Sequence, residues 1–292
     1  MNTIEGHDYE SLHELIAATK TTVGLPKTMR LWDSSWIGRE FSTWDDVWAA
    51  VESPWPEGIE ALERMKAELA NLELPKPSRV TRRARRSESN GDEIDAERLY
   101  SGDAAFWRES RREHSAGPQR VTVAINLSVN WKVKPEAVLW RGVAGLALAD
   151  LFDAAGYSVQ IIGASYSNGV YANGKLTPSG KIRMVKNKTL DEISSASCNT
   201  VVLKPFGGTA DTAGLVNCLS GWCLRTVWMQ LRCLTRVDQL AGNRGYATTL
   251  TGCERLRELS AGSEEVVVEG VYSLGEAVSV VETAVKRIGG PS

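Results

Sequence analysis

The amino-acid sequence predicts an α/β fold, a doubly wound and mainly parallel sheet that follows a small helical module. Residues 121–125 form a continuous, mostly β-branched run, which is typical of a strand buried on both faces. The segment Pro135–Ala155 has the pattern of an apolar helix that ends at Gly156, and residues 157–162 resemble a second strand. A strand–helix–strand unit crosses over with a right-handed sense in almost every known case, so we expect these two strands to be parallel.

The remaining elements continue this alternation of strands and helices. We expect an edge or hairpin segment at residues 181–186, a strand at 200–203, a long helix at 213–234, a last strand at 265–268 and a closing helix at 274–288. These elements complete the sheet in a domain of residues 119–292. A chain of 292 residues has room for one such domain and a smaller module.

Residues 1–75 are expected to form the helical module. Residues 9–19 have helical spacing, Thr43 with Asp46 forms a capping box, and Pro56 opens a third helix that ends before Pro75. Three helices in a segment this short need large side chains to make a core.

Tryptophan supplies those side chains, because five of the ten tryptophans lie in this module. Trp44 and Trp48 are one helical turn apart and share a face. We favour a core role for both, since aromatic side chains dominate small cores. The alternative is an exposed surface that docks a partner, for which tryptophan is also favoured.

Residues 76–118 have the composition of a charged linker. The linker contains an arginine cluster, namely Arg79, Arg82, Arg83, Arg85 and Arg86. Such a cluster can grip nucleic-acid phosphates or an acidic partner. The simpler interpretation is a solvated hinge that pairs with its own acidic neighbours.

Composition limits the class of protein. The formal net charge of −2 argues against polyanion binding by the whole chain. The five cysteines are odd in number and lack paired C-x-x-C spacing, so we expect reduced thiols rather than a zinc site. The first residues do not resemble a secretory signal, and the chain contains no apolar run of about 18 residues. We therefore expect a cytoplasmic protein without membrane contact.

Three short polar residues, Asn126, Ser128 and Asn130, follow the first strand. In an open α/β sheet, ligands bind at the carboxyl ends of the strands. The spacing of the three residues is that of the Asp-x-Ser-x-Ser metal loop of von Willebrand factor A-like domains, with asparagine in the first and last places. The simpler interpretation, which we favour, is that these side chains cap and tie the turn.

Residues 90–290 resemble von Willebrand A-like proteins in layout. The likeness rests on Gly-Asp-Glu-Ile-Asp at 91–95, an arginine-rich stretch at 108–113 and the strand with its loop at 121–130. Subunits of cobaltochelatase and nitric-oxide-reductase activation proteins have these three segments in the same order. The layout is more similar still to that of von Willebrand A-like proteins found in phages, plasmids and bacteria. The resemblance implies a Rossmann-like doubly wound sheet.

The resemblance also implies a metal-ion-dependent adhesion site. Its ligands would be the first-loop oxygens of Asn126, Ser128 and Asn130, together with Thr209 as the second-loop threonine. We find no aspartate for the third loop. Because asparagine replaces the leading aspartate, the site is degenerate and we expect weak Mg²⁺ binding at most, with no other cofactor.

The same resemblance implies a protein-interaction scaffold, encoded by a phage or plasmid, that works with a partner such as a MoxR-type AAA+ ATPase. The alternatives are a magnesium-dependent protein acting on nucleic acid through Asp92, Asp95 or Asp211, and a structural component of a virion. Catalysis is the weaker hypothesis, since the chain has only three histidines and no G-x-S-x-G elbow.

Overall fold

A computed structural model describes most of the chain, and it groups the chain into two compact units. The described residues are 4–5, 7–21, 34–74, 85–87, 93–109, 119–128, 132–168, 174–176, 182–184, 196–228, 246–247, 249–250 and 253–289. The first unit combines residues 1–75 with 120–292, and the second comprises residues 76–119.

The described strands are numbered here in chain order. They are β1 (Ile4–Glu5), β2 (Asp8–Tyr9), β3 (Arg85–Ser87), β4 (Glu93–Ile94), β5 (Trp107–Glu109), β6 (Arg120–Asn126), β7 (Ser158–Asn168), β8 (Gly174–Leu176), β9 (Ile182–Met184), β10 (Ala196–Lys204), β11 (Tyr246–Ala247) and β12 (Glu264–Val268).

The described helices are numbered in the same way. They are α1 (Leu12–Lys20), α2 (Ser34–Ile37), α3 (Trp44–Glu52), α4 (Pro56–Glu68), α5 (Ala96–Tyr100), α6 (Pro135–Ala155), α7 (Thr212–Cys218), α8 (Gly221–Cys223), α9 (Glu254–Leu259) and α10 (Leu274–Gly289). A short π-helical segment, Leu224–Trp228, continues from α8.

One mixed, mostly parallel sheet organises the first unit. Its main strand order is β1-β10-β7-β6-β12, while β2 also pairs with β10 and β11 with β7. Strand β6 is internal and parallel to both of its neighbours, β7 and β12. The prediction of a parallel strand–helix–strand unit with a central first strand is therefore confirmed. Strand β10 runs antiparallel to β7, which the sequence did not predict.

Helix α6 connects β6 to β7 and packs tightly onto the sheet. It begins at Pro135 and ends at Gly156, whose φ of 95° is a left-handed conformation that favours glycine. A Cβ atom on Gly145 would lie 2.4 Å from Ile125 Cδ1, so glycine lets the helix approach β6 closely. Its outer side contacts α4 and α10. Contacts on both sides explain why the helix is apolar nearly all round.

The N-terminal helices share their core with the sheet domain. The expected capping box at Thr43 and Asp46 opens α3, and Pro56 opens α4. Helix α4 contacts α6, α7 and α10, and one continuous core cluster contains residues from both segments. From the sequence we expected residues 1–75 to form a separate module, and this division has to be corrected. Their helices are too short to bury their apolar faces alone, so they cover the outer face of α6.

The boundaries expected at residues 75 and 118 nearly coincide with those of the second unit, residues 76–119. This segment is more than a linker. Strands β3, β5 and β4 form a small antiparallel sheet in that order, and α5 starts at the cap Asp95.

Other elements match the sequence to different degrees. The segment expected at 181–186 contains β9, which pairs antiparallel with β8, and the last strand and helix correspond to β12 and α10. The expected helix at 213–234 is interrupted, because Ser220 leaves the helix and caps α8, and its residues 229–234 lie outside the described residues. Among the helices of the described residues, none is long and apolar enough to cross a membrane.

Candidate interaction site at the carboxyl end of the central strand

The ends of two parallel strands place Asn126 beside Glu269. Strands β6 and β12 are in register at Ile125 and Val268, so the next residues, Asn126 and Glu269, lie at the same end of the sheet. Asn126 Nδ2 donates a hydrogen bond of 3.0 Å to Glu269 Oε2, and the backbone N–H of Leu250 donates to the same oxygen at 2.8 Å. The Glu269 carboxylate therefore joins three separate segments of the chain.

Ser128 ties the same loop to strand β7. Its backbone N–H donates to Asn126 Oδ1 at 2.8 Å, which is a local turn closed by the asparagine side chain. The hydroxyl of Ser128 donates to the carbonyl of Tyr166 at 2.7 Å and accepts from the N–H of Tyr166 at 2.8 Å. Both side chains are buried and hold the turn together, which is the role that we favoured from the sequence.

A buried arginine lies under this loop. Arg141 of α6 is 2% exposed, and its Nη1 donates to the carbonyls of Asn126 at 2.7 Å and Ser128 at 2.8 Å. Its guanidinium carbon lies 5.2 Å from the ring centroid of Tyr272. Burial lowers the pKa of Arg141, while Tyr272 and the charge of Glu269 oppose that shift. Because the pKa of arginine starts above about 12, the guanidinium stays charged at neutral pH.

This arrangement supplies its own positive charge and does not fit a divalent cation. Asn126 Oδ1 and the Ser128 hydroxyl are both engaged in hydrogen bonds, and Asn126 turns its amide NH₂ toward the carboxylate of Glu269. A divalent site needs several free oxygen ligands. Among the described residues, no group of three or more histidine, cysteine, aspartate or glutamate side chains could hold a metal.

Thr209 lies at the opposite edge of the sheet, so its assignment to the same metal site is wrong. Ala164 of β7 is level with both Asn126 and Thr200, but β10 is antiparallel and its later residue Lys204 is level with Ile161. Strand β10 therefore ends at the opposite end of the sheet from Asn126, and the loop after it, which contains Thr209, begins there. Asn130, the remaining metal candidate, lies outside the described residues.

Thr209 instead lines a groove of about 510 Å³ together with residues of α1, the end of α3 and α7. Asp211, in the same groove, caps α7 by accepting a hydrogen bond of 3.2 Å from Gly214 N. Asn217 Nδ2 donates to the carbonyls of Ala50 at 3.3 Å and Val51 at 3.1 Å. The polar groups of this groove therefore connect helix ends.

The two tryptophans proposed as a docking surface are in the core. Trp44 and Trp48 are 8% and 9% exposed, and their rings stack with centroids 5.4 Å apart. The partner-binding alternative is therefore corrected in favour of the core role. In the arginine cluster, Arg85 and Arg86 belong to β3, while Arg79, Arg82 and Arg83 lie outside the described residues.

Comparison with protein families decides where this chain belongs. A family model, domain of unknown function DUF7192, matches residues 3–289. The chain belongs to the DUF7192 family. The match spans the N-terminal helices, the second unit and the sheet, so the DUF7192 domain includes all three. The searches of curated proteins and of solved structures returned no match to this DUF7192 chain.

Sequence reasoning missed three residues of this site, Arg141, Glu269 and Tyr272. Two of them left a signal. Arg141 is a charged residue in the middle of an otherwise apolar helix pattern, and Glu269 follows directly after the last expected strand. A buried charge needs a partner, and the end of a parallel strand in the same sheet is a natural place to seek it.

Proposed function

We propose that this protein is an interaction scaffold of the von Willebrand A-like type that binds a protein partner with the loops at the carboxyl end of β6 and β12. The observation that carries the proposal is the network of Asn126, Ser128, Arg141 and Glu269. Together with Tyr166 and Leu250, these residues connect five segments of the fold and fix two loops. Rigid loops lose less conformational entropy when they bind a partner than mobile loops do, which favours binding.

Tyr272 is the contact residue that we assign to the partner surface. It follows Glu269 by three residues, is 42% exposed and has its ring next to the buried Arg141 guanidinium. Tyrosine is one of the residues enriched at binding hot spots. The side chain is partly exposed and its ring is held against Arg141, so its truncation removes the surface that it offers to a partner.

The partner class follows from the family resemblance, namely a MoxR-type AAA+ ATPase. The test measures the affinity of the full chain for such an ATPase from the same genome by calorimetry, with Tyr272→Ala as the variant. Hot-spot truncation costs about 2 kcal/mol, so we expect affinity to fall roughly thirtyfold.

Tyr100→Ala is the matched control, because Tyr100 is 90% exposed and belongs to α5 of the second unit. We expect this variant to bind like the wild type. Equal weakening by both tyrosine variants, or no binding by the wild type, would contradict the proposal.

A further inference from the structure

Two cysteines that are distant in sequence meet at the side of the sheet. Cys198 lies on β10, and Cys253 is the residue before α9. Their sulfur atoms are 3.3 Å apart, and both side chains are 1% exposed. A disulfide bond is about 2.05 Å long, so a relative movement of roughly 1.3 Å would join them. The pair lies in its own apolar cluster with Tyr166, Leu250 and Leu256.

The two thiols differ in chemical character. A hydrogen bond from Cys198 lowers the pKa of Cys253 to about 7; burial opposes this shift, and the backbone N–H groups of Leu256 and Arg255 assist it. The pKa of Cys198 is raised, because it donates that hydrogen bond and is buried. At neutral pH the pair therefore combines a partly ionised thiol at Cys253 with a protonated thiol at Cys198, the combination of an attacking and a resolving cysteine.

We propose that Cys198 and Cys253 are a peroxide-responsive dithiol that closes to an intramolecular disulfide between β10 and the start of α9. Hydrogen peroxide is the oxidant class, since it is the small neutral oxidant that converts a cysteine thiolate to a sulfenic acid. The proposal does not depend on the proposed partner binding, because neither cysteine belongs to the loops at the end of β6 and β12.

The reaction takes place in two steps. The Cys253 thiolate attacks one oxygen of the peroxide, the O–O bond breaks, and the hydroxide that leaves takes a proton from solvent to become water. Cys253 is then a sulfenic acid. The sulfur of Cys198 attacks the Cys253 sulfur, the S–O bond breaks, and the hydroxyl leaves with the Cys198 proton as a second water. The two sulfurs together lose two electrons, and the peroxide gains them.

The chain contains an internal control in a second buried pair, Cys218 and Cys223. The hydrogen bond with Cys218 and burial raise the pKa of Cys223 well above its ordinary value. A thiol that stays protonated is a poor nucleophile, so Cys223 should not react under conditions that oxidise Cys198 and Cys253.

The test treats the fully reduced, full-length protein with a small excess of hydrogen peroxide and maps its disulfides by mass spectrometry without reduction. Cleavage at Arg, Lys and Asp places Cys198 in peptide 191–210 and Cys253 in peptide 245–255, each with one cysteine. We expect these two peptides to be cross-linked, two of the five thiols to be lost, and dithiothreitol to restore both.

Single substitutions separate the two roles. In Cys198→Ser, we expect Cys253 to stop at the sulfenic acid, which dimedone traps, and in Cys253→Ser we expect no thiol loss at Cys198. Cys218→Ser should behave like the wild type. Wild-type protein that keeps all thiols at this dose, or that cross-links other cysteines instead, would overturn the proposal, and this result does not depend on the folding of any variant.

Discussion

Single residues at the end of β6 decide what the site can bind. The position that leads a metal loop in the resembling proteins is Asn126 here, and the positive charge nearby is the guanidinium of Arg141. A fixed side-chain cation holds the loop by its carbonyl oxygens without any ion from solution. Its own burial is tolerated because two carbonyls accept its hydrogen bonds and because Tyr272 and the charge of Glu269 favour the charged form.

Removing this cation should destabilise the whole first unit. Arg141→Met keeps much of the side-chain volume but leaves the buried carbonyls of Asn126 and Ser128 without their donor. Breaking a buried charged network from one side costs about 3–5 kcal/mol, and we expect a loss in that range from urea unfolding. Arg64→Met, an exposed change on α4, is the control and should shift stability by less than about 0.5 kcal/mol. A loss below 1 kcal/mol for Arg141→Met would show that the guanidinium is not structural.

Restoring the metal-loop carboxylate should create a cation site. Asn126→Asp replaces the donor to Glu269 with a second carboxylate at the same place. Without added metal the two like charges repel, and we expect a loss of about 1–3 kcal/mol. Millimolar Mg²⁺ or Ca²⁺ should recover part of that loss in the variant and leave the wild type unchanged, as followed by thermal melting. Tight magnesium binding by the wild type, with no gain in the variant, would refute this account.

At the scale of elements, an ion pair attaches the N-terminal strand β2 and helix α9 to the sheet. Asp8 accepts hydrogen bonds from Thr200 Oγ1 at 2.6 Å and from Arg255 Nε at 2.9 Å. Burial raises the pKa of Asp8, but the hydrogen bonds from Arg255 and Thr200 outweigh it, so the pKa lies below its ordinary value. The carboxylate is thus preferred in the folded state.

A lowered folded pKa makes this contact sensitive to acid. Its contribution to stability is fully present well above the unfolded pKa of about 3.9 and is lost as the pH falls from there through the lower folded value. Asp8→Asn should therefore be less stable than the wild type at pH 7 and lose less stability between pH 5 and 3. Asp45→Asn, at an exposed site on α3, serves as the comparison. Parallel pH profiles of wild type and Asp8→Asn would contradict the prediction.

The elements also show how far local sequence determines this fold. The unit of β6, α6 and β7 was predictable, because its strands and helix have long apolar patterns and its handedness is nearly fixed. The direction of β10 was not, since a strand has the same local pattern in either direction, and for this reason Thr209 was placed at the wrong edge. The strands β3, β4 and β5 were missed because they are short and rich in charged residues.

At the scale of the whole molecule, residues 1–75 and 120–292 share one core, so we expect them to unfold together. Trp48→Ala empties a large aromatic site and should cost about 3–5 kcal/mol. The loss should appear as a lower midpoint of the common transition. Tyr100→Ala, in the second unit, should leave that midpoint unchanged. A separate early transition, or an unchanged melt for Trp48→Ala, would show that the N-terminal helices are not part of the shared core.

In the proposed function, the protein's own side chains, rather than a bound metal, hold the loops that face the partner. The most direct test is the affinity of the full chain for the proposed AAA+ ATPase, without nucleotide, in magnesium and then in an excess of chelator. Because Arg141 supplies the cation that holds the loop, we expect the two dissociation constants to agree within about twofold, which corresponds to roughly 0.4 kcal/mol. A partner affinity that requires magnesium and disappears in chelator would contradict the claim.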